Sequence, residues 1–282
     1  MSLLICTDLD RTLIPNGPQS EPKGARAAFA RLARSPQVCL AYVSGRHRAL
    51  VEKAMEHYQL PEPDFVIGDV GTTIYHVGPG REWAHQSGWD EEISSDWGGH
   101  THAELKSLLQ GIGTLRPQEH SKQNRHKLSY YVPAKIDQGS LDTTIISRLQ
   151  SLGIKCNLVW SLDEPRGIGL LDILPASASK CHAIDWLMGD QEFDTSNTVF
   201  CGDSGNDMEV LASQIPAVLV ANAEAEVKQQ ASELAAAAGN TDTLYIAQGG
   251  FAGMNGNYSG GMLEGIAHYH PDCVALMGLE SQ

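Results

Sequence analysis

The sequence predicts an α/β protein with a doubly wound parallel sheet and a second, smaller α+β domain inserted into it. Short apolar runs rich in Val, Ile, Leu and Cys recur along the chain without polar alternation, and helical patterns follow most of them. Strands of this kind are typical of a parallel sheet that helices cover on both faces. Between Trp83 and Arg166 this pattern is interrupted, which indicates a separate inserted unit.

The predicted core strands are six apolar runs, most of which end in small or polar residues. They are LLICTDLD, VCLAYVSG, DFVIGDVG, GLLDILP, NTVFCGDS and AVLVANA. The stretch RHRALVEKAMEHYQL, after the second run, places apolar residues at helical spacing. This alternation predicts a Rossmann-like core formed by residues 1–83 and 167–282. In such sheets ligands bind beyond the carboxyl ends of the strands, so polar residues at those ends are the candidate site.

The predicted insertion covers residues 84–166 and has the pattern of a small α+β domain. KLSYYV is strand-like, and ELKSLLQGIG and TTIISRLQSLG are predicted helices that end at glycine. Four of the five tryptophans, Trp83, Trp89, Trp97 and Trp160, lie at its edge or within it. These tryptophans either stack on a sugar or pack in the core of the domain, and core packing is the commoner role in a small domain.

Composition argues against binding to nucleic acid and to membranes. The 282 residues carry a formal net charge of −14, which disfavours binding to nucleic acid or anionic membranes. We expect neither a signal peptide nor a membrane span, because charged residues follow the first apolar run at once and no run approaches about 20 apolar residues. The six cysteines show no C-x-x-C spacing, which predicts reduced thiols and a cytoplasmic protein.

Several predicted strands end in residues suited to phosphate chemistry. The first ends at Asp8, and Asp10 follows two positions later, so both carboxylates emerge beside one place. The second ends at Ser44, followed by Gly45, whose lack of a side chain lets backbone approach an anion. Lys180 is predicted to open a helix, where its ammonium group and free backbone N–H groups together suit phosphate oxygens.

The segment GDSGND adds Asp203 and Asp207, and the charges then need a cation. Like charges ~4 Å apart cost about 4 kcal/mol per pair at an effective dielectric near 20. Four aspartates at one point therefore suit an anionic substrate only with Lys180 and a bound metal beside them. Carboxylate oxygens favour Mg²⁺ over zinc. Helix capping and turn formation remain the alternative roles for these residues.

The segments DLDRT, VSGR, SASK and GDSGND resemble the four motifs of the haloacid dehalogenase superfamily of phosphatases. The resemblance implies that Asp8 attacks phosphorus to form an aspartyl phosphate. It also implies that Asp10 protonates the leaving alcohol and then activates water. The phosphate-binding residues would be Ser44, Gly45, Lys180 and Asn206.

The same resemblance implies an Mg²⁺ ion bound by Asp8, Asp203 and the main-chain carbonyl of Asp10. Asp207 would act directly or through water. The sequence departs from the residues that are usual in the family at three positions, which are Arg11, Cys181 and Tyr258.

Motif spacing resembles one subclass in particular. Only 35 residues separate Asp8 from Ser44, whereas 135 separate Ser44 from Lys180. This spacing resembles phosphatases with an α+β cap domain between the second and third motifs, most of which act on sugar phosphates. The segments EPDFVIGDVGTTIYH, KLSYYV, LLDILPASASK and GMLEGIAHY are most similar to the sucrose-phosphate phosphatase family.

That resemblance implies hydrolysis of sucrose 6-phosphate, with the insertion as the substrate-specificity (cap) domain. Lys127, Ser129 and Tyr130 are its candidate sugar contacts, and strand packing is the open alternative for them. Other substrates that would suit the same core are mannosylfructose phosphate, glucosylglycerol phosphate and mannosylphosphoglycerate. A phosphomutase, or a non-catalytic phospho-sugar-binding partner of a synthase, is a further alternative. The protein partner in that alternative would be the synthase that makes the substrate.

Overall fold

The computed structural model describes residues 2–163 and 166–279, which form two compact units. The larger unit combines Met1–His85 with Lys180–Gln282, and the smaller unit is Gln86–Ser179. The smaller unit thus extends thirteen residues beyond the boundary that the sequence predicts at 166.

The strands of the described residues are, in chain order, β1 (Leu3–Thr7), β2 (Val38–Val43), β3 (Phe65–Gly68), β4 (Thr73–Gly78), β5 (Glu82–His85), β6 (Arg116–Pro117), β7 (Leu128–Pro133), β8 (Cys156–Asp163), β9 (Ile168–Pro175), β10 (Thr198–Gly202), β11 (Ala217–Leu219) and β12 (Leu244–Ile246). The α-helices of the same residues are α1 (Ala25–Ala33), α2 (Arg48–Tyr58), α3 (Ser87–Ser94), α4 (His102–Leu108), α5 (Gln138–Gln150), α6 (Lys180–Asp190), α7 (Met208–Leu211), α8 (Ala225–Ala238), α9 (Ser259–Tyr269) and α10 (Val274–Met277).

The larger unit contains an eight-stranded sheet with the order β12-β11-β10-β1-β2-β3-β4-β5. The six strands from β12 to β3 are parallel, and β4 and β5 add an antiparallel edge. This sheet confirms the predicted α/β class. Because β1 lies between β10 and β2, the carboxyl ends of three motif-bearing strands are neighbours.

The helices of the larger unit pack in two groups, as a doubly wound sheet requires. Helix α1 packs against α9 and α10, while α7 packs against α6 and α8. Alternate residues of the central strands, such as Ile5 and Tyr42, are fully buried in the core that Phe29 of α1 shares. Within the described residues, every helix is too short or too polar to cross a bilayer.

The run GLLDILP does not join the parallel sheet, and this prediction was wrong. It forms β9, which pairs antiparallel with β7 and β8 in a four-stranded sheet of order β6-β7-β9-β8. Strand β9 begins only five residues after β8 ends. A connection that short permits an antiparallel neighbour but no parallel crossover. The smaller unit therefore ends after this strand rather than before it.

The smaller unit has its own hydrophobic core on one face of its sheet. Leu128, Tyr130 and Val132 of β7 pack there with Leu105 of α4 and Ile145 of α5. These elements confirm the predicted strand KLSYYV and both predicted helices. Helix α4 begins with a capping box, in which Thr101 and Glu104 each accept a hydrogen bond from the other's backbone N–H.

The close packing of α9 on β11 leads to a stability prediction. A Cβ atom added to Gly265 would lie 2.2 Å from the Val218 side chain, whereas one added to Gly189 of α6 would meet no described atom within 4 Å. We expect Gly265→Ala to lower the free energy of unfolding by about 1–3 kcal/mol through overpacking. The control Gly189→Ala should leave it unchanged or raise it by up to about 1 kcal/mol. Urea unfolding measures both, and equal effects would contradict the packing.

Candidate active site

Two acids lie side by side because the strands that carry them are neighbours. Asp8 directly follows β1, and Asp203 directly follows β10. The parallel register pairs Thr7 with Cys201, and the Asp8 N–H donates to the Cys201 carbonyl at 2.9 Å. Both aspartates are about 95% buried. The structure thus brings together two acids that are distant in the sequence.

Asp207 joins them because its loop turns back on itself. One of its carboxylate oxygens accepts hydrogen bonds from the backbone N–H groups of Asp203 and Ser204, both at 3.2 Å. This approach requires glycine at position 202, since a Cβ there would lie 2.6 Å from the same oxygen. The other oxygen of Asp207 stays directed toward the neighbouring charged groups.

Lys180, the first residue of α6, is the cation that contacts two of these acids. Its buried ammonium group donates to Asp8 at 2.9 Å and to Asp207 at 2.7 Å. It also donates to the amide oxygen of Asn206 at 3.1 Å. Burial alone would lower the pKa of Lys180, but the attraction of Asp207 and Asp8 outweighs it and raises that pKa. The lysine is therefore charged in the site.

The cluster of acids has the donor set of a site for a hard divalent cation. Asp8, Asp203 and Asp207 each offer an oxygen, and these oxygens lie within 4.8 Å of one another. Burial raises the pKa of Asp8 to about 8 and that of Asp203 to about 7, and repulsion between the acids adds to both shifts. Lys180 contacts Asp8 and Asp207 and does not offset the charge of all three acids, and a buried all-oxygen donor set of this kind fits Mg²⁺.

Asp10 has a different environment, which Arg46 dominates. The guanidinium group donates to both carboxylate oxygens, from Nε at 2.7 Å and from NH2 at 2.6 Å, and Asn16 donates to one of them at 2.6 Å. Burial would raise the pKa of Asp10, but the hydrogen bonds and charge of Arg46 outweigh it and hold that pKa below its ordinary value. Asp10 is therefore ionised in this arrangement.

Arg46 is a site residue to which the sequence analysis assigned no role. It stands two positions after Ser44 in the VSGR motif, so its place after a strand end was the available signal. Ser44 itself is buried, and its hydroxyl accepts from the Arg46 N–H at 3.2 Å, which leaves the hydroxyl hydrogen to donate. At Gly45 an added Cβ would make only an ordinary contact, 3.8 Å from Val70.

The three candidate sugar contacts lie in the smaller unit. Tyr130 packs in its hydrophobic core, where burial raises the pKa of the phenol to about 12, and this favours the packing alternative for that residue. Ser129 points to the opposite face, within hydrogen-bond distance of Asp172 and of the Lys122 carbonyl. Lys127 is 4% exposed. A role in sugar binding stays a prediction for all three.

Comparisons with known proteins relate this site to one family. The sequence model of sucrose-6F-phosphate phosphohydrolase matches residues 1–270. A HAD-like hydrolase of Nitrosococcus oceani is 52% identical over 275 residues, which are 98% of this chain and 74% of the relative. Sucrose-phosphatase 1 of Nicotiana tabacum is 29% identical over 80% of this chain. The chain spans about half of that plant protein, 52% of its length.

A bacterial relative differs in its named substrate. The mannosylfructose-phosphate phosphatase of Agrobacterium fabrum is 28% identical over 79% of this chain and 85% of its own length. Among solved structures, the sucrose-phosphatase of Synechocystis in complex with sucrose and phosphate aligns with a TM-score of 0.72 and 27% identity. That alignment covers 95% of this chain and 98% of the other.

The acid cluster predicts a stabilising effect of Mg²⁺ that depends on Asp203. A ligand that binds only the folded state stabilises it by about 2.7 kcal/mol at a hundred times its Kd. We expect Mg²⁺ to raise the Tm of the EDTA-treated protein, and Asp203→Asn to remove most of that shift. The control Asp185→Asn changes an exposed carboxylate of α6, outside the cluster, and should keep the full shift. Equal shifts in both variants would argue against the site.

Proposed function

Because the chain belongs to the sucrose-6F-phosphate phosphohydrolase family of haloacid dehalogenase phosphatases, we propose that it hydrolyses sucrose 6-phosphate to sucrose and phosphate. That it is a phosphoric monoester hydrolase follows from the family. The observation that carries the proposed phosphoryl-transfer mechanism is the buried Asp8 carboxylate, held by Lys180 beside two further acids.

Asp8 has the environment of a nucleophile for phosphorus. One of its oxygens accepts from Lys180, which fixes the direction of the carboxylate and leaves the second oxygen for attack. In the proposed first step, this oxygen forms a bond to phosphorus while the bond from phosphorus to the sugar oxygen breaks. The product is an aspartyl phosphate, and in the second step water attacks its phosphorus and releases Asp8. Dividing the displacement in this way replaces one difficult step by two easier ones.

Asp10 is the proposed acid and base. The leaving sugar oxygen needs a proton, yet Arg46 keeps Asp10 ionised in the arrangement described. A phosphate dianion beside Asp10 would oppose this effect, because a like charge raises the pKa of a carboxyl group. Asp10 would then donate its proton to the leaving oxygen and, once ionised again, accept one from the attacking water.

The phosphoryl oxygens would be bound by Lys180, the Ser44 hydroxyl, the Gly45 backbone and Asn206. The groups that would hold Mg²⁺ are Asp8, Asp203, Asp207 and the Asp10 carbonyl. The ion would supply positive charge that offsets the acids and the phosphate. Positioning and charge neutralisation then account for most of the catalysis. Sugar selection would fall to the smaller unit.

Sucrose 6-phosphate is supported by the family model and by the Synechocystis relative in complex with sucrose and phosphate. Mannosylfructose phosphate is the second candidate, since the Agrobacterium phosphatase that bears its name matches 79% of this chain. Association with the synthase that makes the substrate stays a prediction.

The proposal predicts Mg²⁺-dependent release of phosphate that peaks with disaccharide phosphates. A panel should include sucrose 6-phosphate, mannosylfructose phosphate, glucosylglycerol phosphate, mannosylphosphoglycerate and glucose 6-phosphate, each with Mg²⁺ or EDTA. We expect the highest kcat/KM with sucrose 6-phosphate and no requirement for a bisphosphate activator. Asp8→Asn should lower kcat by about 10⁴-fold or more, as loss of a covalent nucleophile does in other hydrolases. Asp185→Asn is the control.

A flat profile that favours small hexose phosphates would overturn the disaccharide assignment but leave the phosphatase class intact. An Asp8→Asn variant with wild-type turnover would overturn the mechanism itself. A preference for mannosylfructose phosphate would select the second candidate.

The Arg46 clamp predicts a specific loss of turnover. Without Arg46, Asp10 loses the group that orients both its oxygens, and general acid–base catalysis contributes about 10²–10⁴-fold. We expect Arg46→Gln to lower kcat by about 10–100-fold with little change in KM, and Arg46→Lys to restore part of it. Steady-state kinetics measures both. The control Arg48→Gln removes a neighbouring guanidinium that pairs with Glu52, and it should retain wild-type kcat. A rise in KM alone would assign Arg46 to substrate binding instead.

A further inference from the structure

A second arginine, Arg11, contacts the third acid of the cluster. Its Nε lies 3.5 Å from an Asp203 carboxylate oxygen. Its NH2 group donates to the Glu224 carboxylate at 2.7 Å and to the Asn222 carbonyl at 3.4 Å. The Nε–H is buried without a hydrogen-bond acceptor among the residues that the structure describes, so its contact with Asp203 is one of charge. Arg11 thus links the loop after β1 to the residues that precede α8.

The backbone of Arg11 is fixed from both sides. Its N–H donates to the Asn16 side chain at 2.8 Å, and its carbonyl accepts from the Asn222 side chain at 2.7 Å. The residue has a φ of 57°, in the left-handed region that residues other than glycine rarely adopt. Such a conformation persists only where the surroundings determine it. The fixed backbone of the loop therefore sets the direction in which the Arg11 side chain extends toward Asp203.

Each acid of the cluster has a cation from the chain. Lys180 contacts Asp8 and Asp207, and Arg11 lies beside Asp203. A buried carboxylate without a positive partner is costly, so these two side chains hold the cluster together when no metal is bound. A bound divalent cation would meet repulsion from both of them, because like charges oppose each other at these distances.

We propose that Arg11 is a positioning residue that competes with Mg²⁺ for Asp203 and so weakens Mg²⁺ binding. The inference rests on the proposed function, because it takes Mg²⁺ as the cation of the cluster. Arg11 keeps the acids assembled in the metal-free protein and makes the site exchange Mg²⁺ more readily. It acts through Asp203, not through substrate.

The test is titration calorimetry of the full chain with Mg²⁺ alone, without substrate. Arg11→Gly removes the charge and suits the left-handed backbone, and Arg11→Asn is the second charge-removing variant, since asparagine also tolerates that region. We expect both to lower the Kd for Mg²⁺ by about 3–10-fold, a moderate effect because the arginine side chain is 33% exposed and partly screened. Arg11→Lys keeps the charge and should stay near the wild-type Kd. Arg48→Gln is the matched control.

A second measurement separates charge from folding. In EDTA the two charge-removing variants should melt at a lower temperature than Arg11→Lys, and saturating Mg²⁺ should remove that difference. An unchanged or higher Kd in Arg11→Gly and Arg11→Asn would overturn the inference and leave the phosphatase proposal standing. Tighter Mg²⁺ binding without any release of phosphate from sugar phosphates would support the inference and overturn the proposed function. A wild-type protein that binds no Mg²⁺ would overturn both the inference and the proposed cofactor.

Discussion

The candidate active site of the larger unit is organised around three acidic side chains buried at one point. Asp8, Asp203 and Asp207 present oxygens within 4.8 Å of one another, and each is at least 95% buried. Carboxylates so placed destabilise the fold unless cations lie against them. Lys180, at the start of α6, and Arg11, in the loop after β1, supply these cations. The left-handed backbone of Arg11 and the burial of Lys180 are both uncommon, and the acids that these cations contact explain them.

The acids at the end of β1 differ because their surroundings separate them. Asp8 is buried among acids and its pKa is raised, whereas the Asp10 side chain is 41% exposed, is held by Arg46, and has a lowered pKa. The pKa values of two carboxyl groups that are two residues apart are thus shifted in opposite directions. These shifts are the reverse of those that a nucleophile and a general acid need, so the proposed roles require Mg²⁺ to lower the pKa of Asp8 and the substrate phosphate to raise that of Asp10. The difference comes from the complete burial of Asp8 beside two other acids and from the hydrogen bonds and charge of Arg46 on Asp10, since the two side chains are chemically identical.

The residues at strand ends could be predicted because strand and turn patterns are local. Asp8, Ser44 and Asp203 each close an apolar run, and the parallel arrangement of those runs brings the ends together. The partners of these residues could not be predicted in the same way, because they depend on long-range contacts. Arg11 meets Glu224 across 213 positions of sequence. The run GLLDILP has the composition of a core strand, and only its short connection to β8 assigns it to the other sheet.

The distribution of charge limits how a phosphate can be selected. Residues 86–179 contain nine Lys and Arg against eleven Asp and Glu, whereas the rest of the chain contains eleven against 23. The larger unit is therefore strongly acidic, and its long-range field repels a phosphate dianion rather than attracting it. Binding of phosphate must then rely on cations within the site itself. Because every candidate substrate carries the same phosphate group, discrimination among sugars has to come from hydrogen bonds and shape, and the proposed function assigns this discrimination to the nearly neutral smaller unit.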